Sequence, residues 1–222
     1  NTQIALGKLA NAWQQRMTAK ITAITGSNGK TSVKEILNNC LSISAKILST
    51  DGNFNNHIGL PIMLLRLDES HEYGILEMGA NHPREIDYLV NLTDPFIVLI
   101  NNAGPAHLLG FRDINGVAKA KGEILQGKLP PKYACLNYDD KYYDLWCDMA
   151  KKSTVVSFGF NPNASVFAKD IEVNLVDRIS SFTLVLPESS TNIELPVLGK
   201  HNIMNTCAAA AVMYCLGMPI KN

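Results

Sequence analysis

The sequence predicts an α/β protein with a mostly parallel sheet flanked by helices and a phosphate-binding glycine loop (P-loop). Short apolar segments alternate with segments of helical periodicity over the first two thirds of the chain, which is the rhythm of βαβ units. The glycine loop, residues 25–32 (Thr-Gly-Ser-Asn-Gly-Lys-Thr-Ser), joins the first apolar segment to a helical one. After about residue 160 the pattern changes and predicts a small antiparallel β subregion.

Each element follows from its own pattern. Leu6, Leu9 and Trp13 recur at helical spacing and predict a lead-in helix over 5–17. Apolar runs predict strands at 21–25, 45–48, 73–78, 96–100, 133–136 and 154–158, with helices at 31–42, 59–67, 83–91, 113–126 and 139–150. Antiparallel strands are expected at 165–174, 180–186 and 192–197, and a last helix at 202–216. The motifs that follow the parallel strands should therefore meet at one edge of the sheet.

Composition excludes several classes of function. The chain has 222 residues, of which 46% are hydrophobic, enough for one large or two small domains. Lys+Arg and Asp+Glu are 20 each, so no net charge attracts nucleic acid or an anionic membrane. No apolar run reaches the roughly 18 residues of a membrane span. The absence of a signal-peptide pattern and an odd number of widely spaced cysteines predict a cytoplasmic protein with reduced thiols.

The glycine loop predicts an ATP site. Gly26 and Gly29 let the backbone approach phosphates, Lys30 can neutralise them, and Thr31 can offer a hydroxyl to Mg²⁺. Only two residues separate the two glycines, and Ile24 stands where the usual pattern has its outer glycine. The alternatives are a tight turn with a surface lysine and a dinucleotide site, which lacks its Gly-x-Gly-x-x-Gly. The expected ATP-binding residues of the loop are Gly26, Ser27, Asn28, Gly29, Lys30, Thr31 and Ser32.

Two more polar residues come after predicted strands. Glu77 ends the strand 73–78, where a buried carboxylate needs a partner, and it could hold Mg²⁺ opposite Thr31. It could instead cap the next helix. His107 follows the strand 96–100 and is a second candidate site residue, although a lone loop histidine often makes only a hydrogen bond.

The remaining candidates are lysines and amides. Lys119 and Lys121 point to different faces of one helix, and the residues alone favour two surface lysines. The segment 53–57 is rich in asparagine, whose uncharged amides suit either the sugar, uracil or peptide groups of a substrate or a turn and helix cap. Asn202 and Asn205 share a helix face, where one could cap or both could bind an adenine edge.

Together these motifs resemble the central domain of the Mur ligases, the ATP-dependent amide-bond-forming enzymes of peptidoglycan assembly. The matching motifs are residues 25–32, Glu77-Met-Gly-Ala, His107, the Ala-Lys-Ala-Lys-Gly-Glu of 118–123, Leu136-Asn-Tyr-Asp139 and residues 199–205. They occur in the family's order over nearly the whole chain. Residues 52–61 and 77–86 are most similar to the members that join D-Ala-D-Ala to UDP-N-acetylmuramoyl-tripeptide.

The resemblance implies a reaction through an acyl phosphate, with ATP and two Mg²⁺ ions. It implies catalytic roles for Lys30, Lys121 and His107, and metal ligation by Thr31, Glu77 and His107. The matching lysine is typically carbamylated, so Lys121 is expected to carry CO₂ as a carbamate. Asn202 and Asn205 would contact adenine. The muramoyl-peptide would lie near Asn53, Asn55 and Asn56.

The resemblance also predicts the domain organisation. Residues 1–18 would be a lead-in from an N-terminal domain, and 19–222 the central ATP-binding domain, with a further C-terminal domain in the whole protein. We expect these 222 residues alone to lack ligase turnover. The alternatives are a ligase like folylpolyglutamate synthase, against which the amide-rich segment argues, and a non-catalytic nucleotide-binding module, against which the set of retained polar residues argues.

Overall fold

A nine-stranded sheet forms the centre of the fold. The computed structural model describes residues 1–105 and 108–218. At residues 108 and 109 it describes only the backbone. The strands of the sheet are β1 (Lys20–Thr25), β2 (Ile47–Ser49), β3 (Tyr73–Glu77), β4 (Ile97–Ile100), β5 (Tyr133–Asn137), β6 (Thr154–Gly159), β7 (Val166–Asn174), β8 (Ile179–Leu186) and β9 (Ser189–Leu195). The spatial order is β2-β3-β1-β4-β5-β6-β7-β8-β9. The predicted fold class is confirmed.

The central strands bring the predicted site segments together. β1 pairs in parallel with β3 on one side and with β4 on the other, with Ile24 opposite Glu77 and Thr25 opposite Ile100. The segments that follow these three strands therefore leave the sheet side by side at its carboxyl edge.

The predicted antiparallel strands continue the main sheet. β7 pairs in parallel with β6 only at the last two residues of β6, where Phe158 is opposite Val166 and Gly159 is opposite Phe167. β7, β8 and β9 are antiparallel to one another. Most of β7 therefore extends past the carboxyl end of β6, and the β subregion projects from the sheet as a three-stranded ribbon.

Helices cover both faces of the sheet. They are α1 (Thr2–Gln14), α2 (Lys30–Leu41), α3 (Gly59–Leu64), α4 (Glu85–Thr93), α5 (Leu108–Phe111), α6 (Ile114–Gly122), α7 (Tyr143–Met149) and α8 (Lys200–Cys215). A short 3-10 helix, Glu123–Leu125, follows α6 and completes the helix predicted over 113–126. α5 was not predicted. The helix expected over 83–91 begins at Glu85, and the one expected over 139–150 begins at Tyr143.

The two largest hydrophobic cores of the described residues lie on opposite faces of the sheet, because alternate residues of a strand point in opposite directions. In β4, Val98 and Ile100 pack into the core below α1, α3, α4, α6 and α7, whereas Ile97 and Leu99 pack into the core below α2 and α8. A strand buried on both faces needs a continuous apolar run, which is why β4 was easy to predict.

The two end helices are tied to the sheet by different means. α8 packs through its small buried residues 208–211, which let the helix lie close to the strands. The lead-in helix α1 is fastened by side chains: the Asn11 amide donates to the Leu92 carbonyl at 3.0 Å, and the Trp13 indole donates to the Leu67 carbonyl at 2.9 Å. Among the described residues, no helix has the length and apolarity to cross a membrane.

Candidate active site

The glycine loop connects β1 to α2 at the carboxyl edge of the sheet. Gly29 has a φ of 80°, in the left-handed region, and a Cβ atom there would overlap the side-chain amides of Asn101 and Asn205. Only glycine satisfies both conditions. Within the described residues, no side chain caps the first turn of α2, so its N–H groups and the positive end of its dipole can bind an anion.

Lys30 and Thr31 lie in that first turn. The Lys30 ammonium donates to the Gly26 carbonyl at 2.7 Å, so its charge lies over the loop. Burial lowers the pKa of Lys30, and the nearby Glu77 carboxylate partly opposes this effect. The Thr31 hydroxyl donates to Glu77 Oε2 at 3.3 Å. The loop and the end of β3 are therefore in direct contact, as the sequence predicted.

Glu77 fits a cation site. Its side chain is only 2% exposed, and its Oε1 atom has no hydrogen-bond partner among the described residues. A buried carboxylate oxygen without a partner is costly. One carboxylate, one hydroxyl and the phosphates of a nucleotide form a usual donor set for Mg²⁺. In the described part of the chain, no group of three or more His, Cys, Asp or Glu residues could hold a metal without such a substrate.

The alternative role for Glu77, as a cap of the following helix, is wrong. The first turn of α4 is capped by Glu123, whose carboxylate accepts the Arg84 N–H at 2.8 Å and the Asp87 N–H at 3.1 Å. This contact also joins the start of α4 to the 3-10 helix that follows α6.

A cavity of about 320 Å³ collects residues from four segments at this edge. It is lined by Gly26, Ser27, Lys30, Asn55, Asn56, His57, Gly79, Ala80, Asn81, Glu85 and Lys121. The segments after β1, β2 and β3 thus meet α6 around one space. His57, Asn81 and Glu85 were not among the predicted site residues, although each stands near a predicted motif.

Lys121 is buried, so the interpretation of two surface lysines is wrong for this residue. Lys121 is 6% exposed, whereas Lys119 two residues earlier is exposed. Among the described residues the Lys121 ammonium has no hydrogen bond or ion pair. Burial, together with repulsion from Lys30, lowers the pKa of Lys121 to about 7. Much of this lysine is therefore a neutral amine near pH 7, and it can act as a nucleophile.

The amide-rich segment caps a helix and also lines the cavity, while its role in substrate binding stays a prediction. Asn56 Oδ1 accepts the N–H groups of Ile58 and Gly59 at 3.0 Å each, which caps the start of α3. The Asn55 carbonyl accepts the Gly79 N–H at 2.9 Å. Asn55 and Asn56 line the cavity, whereas Asn53 is exposed and does not line it.

Comparison with known proteins identifies the family of this chain. A model of the Mur ligase middle domain matches residues 24–213. The chain belongs to the Mur ligase family. It is 40% identical over 221 residues to UDP-N-acetylmuramoyl-tripeptide--D-alanyl-D-alanine ligase of Buchnera aphidicola subsp. Baizongia pistaciae, covering 100% of this chain and 48% of that protein. It is 41% identical to the Escherichia coli K12 protein of the same name, over 98% of this chain and 48% of that protein.

Solved Mur ligase structures agree with this assignment. MurF from Acinetobacter baumannii superposes with a TM-score of 0.93 at 37% identity, covering 99% of this chain and 48% of that one. MurF from Thermotoga maritima, solved in complex with ADP, has a TM-score of 0.87 at 26% identity, covering 100% and 51%. The chain therefore spans about half the length of the Mur ligases that it matches.

The two asparagines of α8 differ in their surroundings. The Asn202 amide donates to the Leu198 carbonyl at 2.9 Å. Asn205 is 4% exposed, and its Oδ1 accepts the Asn101 amide at 3.0 Å. Adenine binding by this pair stays a prediction. His107 lies outside the described residues, so its catalytic and metal-binding roles also stay predictions.

Asn102 was not among the predicted site residues, yet it holds the glycine loop. Its Oδ1 accepts the Asn28 N–H at 2.9 Å and its Nδ2 donates to the Asn28 carbonyl at 3.1 Å, so one side chain pairs with both backbone groups of a glycine-loop residue. Ser27 makes a similar link, since its hydroxyl bonds to both backbone groups of Gly104. The sequence signal for this contact is the pair of adjacent amides, Asn101 and Asn102, directly after the buried strand β4.

Proposed function

We propose that the full-length protein is an ATP-dependent ligase that joins D-Ala-D-Ala to UDP-N-acetylmuramoyl-tripeptide in peptidoglycan precursor synthesis in the bacterial cytoplasm. Residues 19–222 would be its central ATP-binding domain, between an N-terminal and a C-terminal domain. The observation that carries this proposal is the cavity in which Lys30 and Lys121 lie with Asn55 and Asn56. In this cavity the two lysines lie between the glycine loop, which suits phosphates, and an amide-rich segment, which suits the sugar or peptide groups of a substrate.

The glycine loop would hold the triphosphate. The free N–H groups of the first turn of α2 and the Lys30 ammonium would stabilise the β- and γ-phosphates. Thr31 and Glu77 would hold one Mg²⁺, and the family resemblance gives His107 to a second. When bound, Mg²⁺ would neutralise the charge that opposes the meeting of a carboxylate and a phosphate.

The reaction would have two balanced steps. An oxygen of the peptide carboxylate attacks the γ-phosphorus, the bond to the β–γ bridging oxygen breaks, and ADP leaves. The amine of D-Ala-D-Ala then attacks the acyl carbon, loses a proton, and expels inorganic phosphate from the tetrahedral intermediate. A carboxylate is a poor electrophile, so the phosphate serves as the leaving group. Lys30 would orient the γ-phosphoryl group and stabilise its charge throughout.

Lys121 would carry a carbamate. Its neutral amine would add to CO₂, forming an N–C bond and releasing a proton. The modification would replace a buried amine by an anion next to the Lys30 ammonium. The proposal is supported by the burial of Lys121 without an ion-pair partner, which lowers its pKa to about 7 and so provides the neutral amine that this addition requires. The resulting anion could orient Lys30 and support Mg²⁺.

The test uses the full-length protein. Phosphate release from Mg-ATP is measured with UDP-N-acetylmuramoyl-tripeptide and D-Ala-D-Ala, and separately with a folate and glutamate. Release that requires the first pair supports the proposal, and release only with the second pair overturns the substrate assignment. Release with neither would favour a non-catalytic nucleotide-binding module. Lys30→Ala should abolish release. Lys119→Ala is the control: it also removes a lysine, but an exposed one that does not line the cavity, so release should continue.

A further inference from the structure

Asparagine side chains from three separate segments meet one another and the backbone of the glycine loop. We call them the amide cluster: Asn101 and Asn102 after β4, Asn137 at the end of β5, Asn205 on α8, and the backbone of Asn28 in the loop itself. None of these contacts lies within one helix or one strand. The cluster therefore joins the loop to the sheet and to α8.

Asn101 is the centre of the cluster. Its Nδ2 donates to the Asn28 carbonyl and to Asn205 Oδ1, both at 3.0 Å. Its backbone carbonyl accepts the Asn137 amide at 2.9 Å, and its backbone N–H donates to the Thr25 carbonyl at 2.9 Å. These contacts tie Asn101 to the glycine loop, to the end of β1 where the loop begins, to the end of β5 and to α8.

The Asn101 side chain is costly for the fold. It is 1% exposed, and its Oδ1 atom has no hydrogen-bond partner in the described part of the chain. A buried amide with an unsatisfied oxygen is less favourable than an apolar side chain of similar size. The amide nitrogen donates two hydrogen bonds, one to the loop and one to Asn205 beside it. Holding the loop therefore explains why a polar residue is found at this buried position.

Asn102 holds the same loop residue from the exposed side. It pairs with both backbone groups of Asn28, as a neighbouring strand would. The Asn28 carbonyl therefore accepts hydrogen bonds from both adjacent asparagines. Gly29, the next residue, lies so close to Asn101 and Asn205 that no side chain fits. The position of Asn28 consequently fixes where the N–H groups at the start of α2 point.

We propose that Asn101 and Asn102 are positioning residues for the nucleotide: they hold Asn28 so that the loop presents its N–H groups to the phosphates. Neither residue needs to contact the nucleotide for this role. The inference rests on the proposed ATP site in the glycine loop. It goes beyond that function, because it assigns nucleotide affinity to side chains outside the loop.

The experiment compares the full-length wild type with Asn101→Leu and Asn102→Leu. A fluorescent ADP analogue gives the nucleotide dissociation constant, and steady-state kinetics give KM for ATP and for the acceptor peptide separately. We expect the dissociation constant and KM for ATP to rise about tenfold in each variant, which corresponds to about 1.4 kcal/mol, because each substitution removes the hydrogen bonds by which one side chain holds the loop. KM for the acceptor should stay within about twofold of the wild-type value.

Asn11→Leu is the matched control. This substitution also removes an amide-to-carbonyl hydrogen bond, the one from Asn11 on α1 to the Leu92 carbonyl. Neither residue lines the cavity or contacts the loop, so both KM values should stay unchanged. Equal nucleotide affinity in wild type and Asn101→Leu would overturn the inference. If Asn101→Leu does not fold, Asn102→Leu decides the matter, because Asn102 is only partly buried. If the wild type binds no nucleotide, the proposed function itself fails, which is a different result.

Discussion

Replacing Lys121 by methionine should stabilise the folded protein at low pH while removing ligase activity. The pKa of Lys121 is about 7 in the fold and 10.5 ordinarily, so the unfolded chain binds more protons than the folded one between these values. Stability therefore rises with pH across that window, and the full penalty is present below pH 7. The shift sets an upper limit of roughly 5 kcal/mol at about 1.4 kcal/mol per unit, and relaxation of the site should reduce the gain to about 1–3 kcal/mol.

The assay is urea unfolding of wild type and Lys121→Met at pH 6, 8 and 9.5 in buffers depleted of CO₂, so that the lysine stays a free amine. The variant should be more stable at pH 6, and the difference should shrink towards pH 9.5. Lys119→Met, on an exposed lysine of the same helix, should show no such trend. A variant that is less stable than wild type at pH 6 would refute the reasoning, because the ammonium would then have to be well solvated or paired.

Three further substitutions test the site and its support. Glu77→Gln should raise the Mg²⁺ concentration for half-maximal activity at least about tenfold, measured by metal titration, because the carboxylate charge is lost while the shape is kept. Gly29→Ala should weaken ADP binding more than about tenfold in a fluorescence titration, since φ is 80° and the added methyl group would displace Asn101. Leu37→Ala should lower the free energy of unfolding by about 2–5 kcal/mol in urea, because this α2 residue is fully buried.

Each substitution has a control of the same chemistry. Glu72→Gln changes an exposed carboxylate before β3 and should leave the Mg²⁺ titration unaltered. Gly52→Ala has a positive φ of 51° but nothing within 4 Å of the added Cβ, so it separates backbone strain from steric overlap. Leu9→Ala removes a side chain that is 59% exposed and should cost little stability. An effect as large in the control as in the site variant would contradict the corresponding explanation.

Much of the fold could be predicted because its information is local. β4 and β5 are apolar runs bounded by turns, since both of their faces are buried, and their limits lie within a residue or two of the prediction. The attachment of β7 to the main sheet is not local. Only six residues join β6 to β7, fewer than a parallel crossover normally needs, and the pairing succeeds only because β7 continues past the end of β6. The sequence pattern gave no sign of that arrangement.

Those site residues could be predicted whose chemical type alone indicates what they would bind. The lysine and threonine of the glycine loop and the strand-end Glu77 follow directly from what phosphates and Mg²⁺ require. Lys121 was not predictable from spacing, because its low pKa depends on burial and on Lys30, and neither can be read from α6 alone. Asn102 is similar: an amide that pairs with the backbone of a distant loop has no local signature.

The helices that meet at the carboxyl edge of the sheet are supported by two different hydrophobic cores. Lys30 and Thr31 are carried by α2 on one face of the sheet, whereas Lys121 is carried by α6 on the other. A packing defect under α2 would shift the nucleotide groups and leave the lysine of α6 in place, and a defect under α6 would do the reverse. Temperature-sensitive mutants should therefore fall into two classes, one rescued by excess nucleotide and the other, through the proposed carbamate on Lys121, by excess bicarbonate.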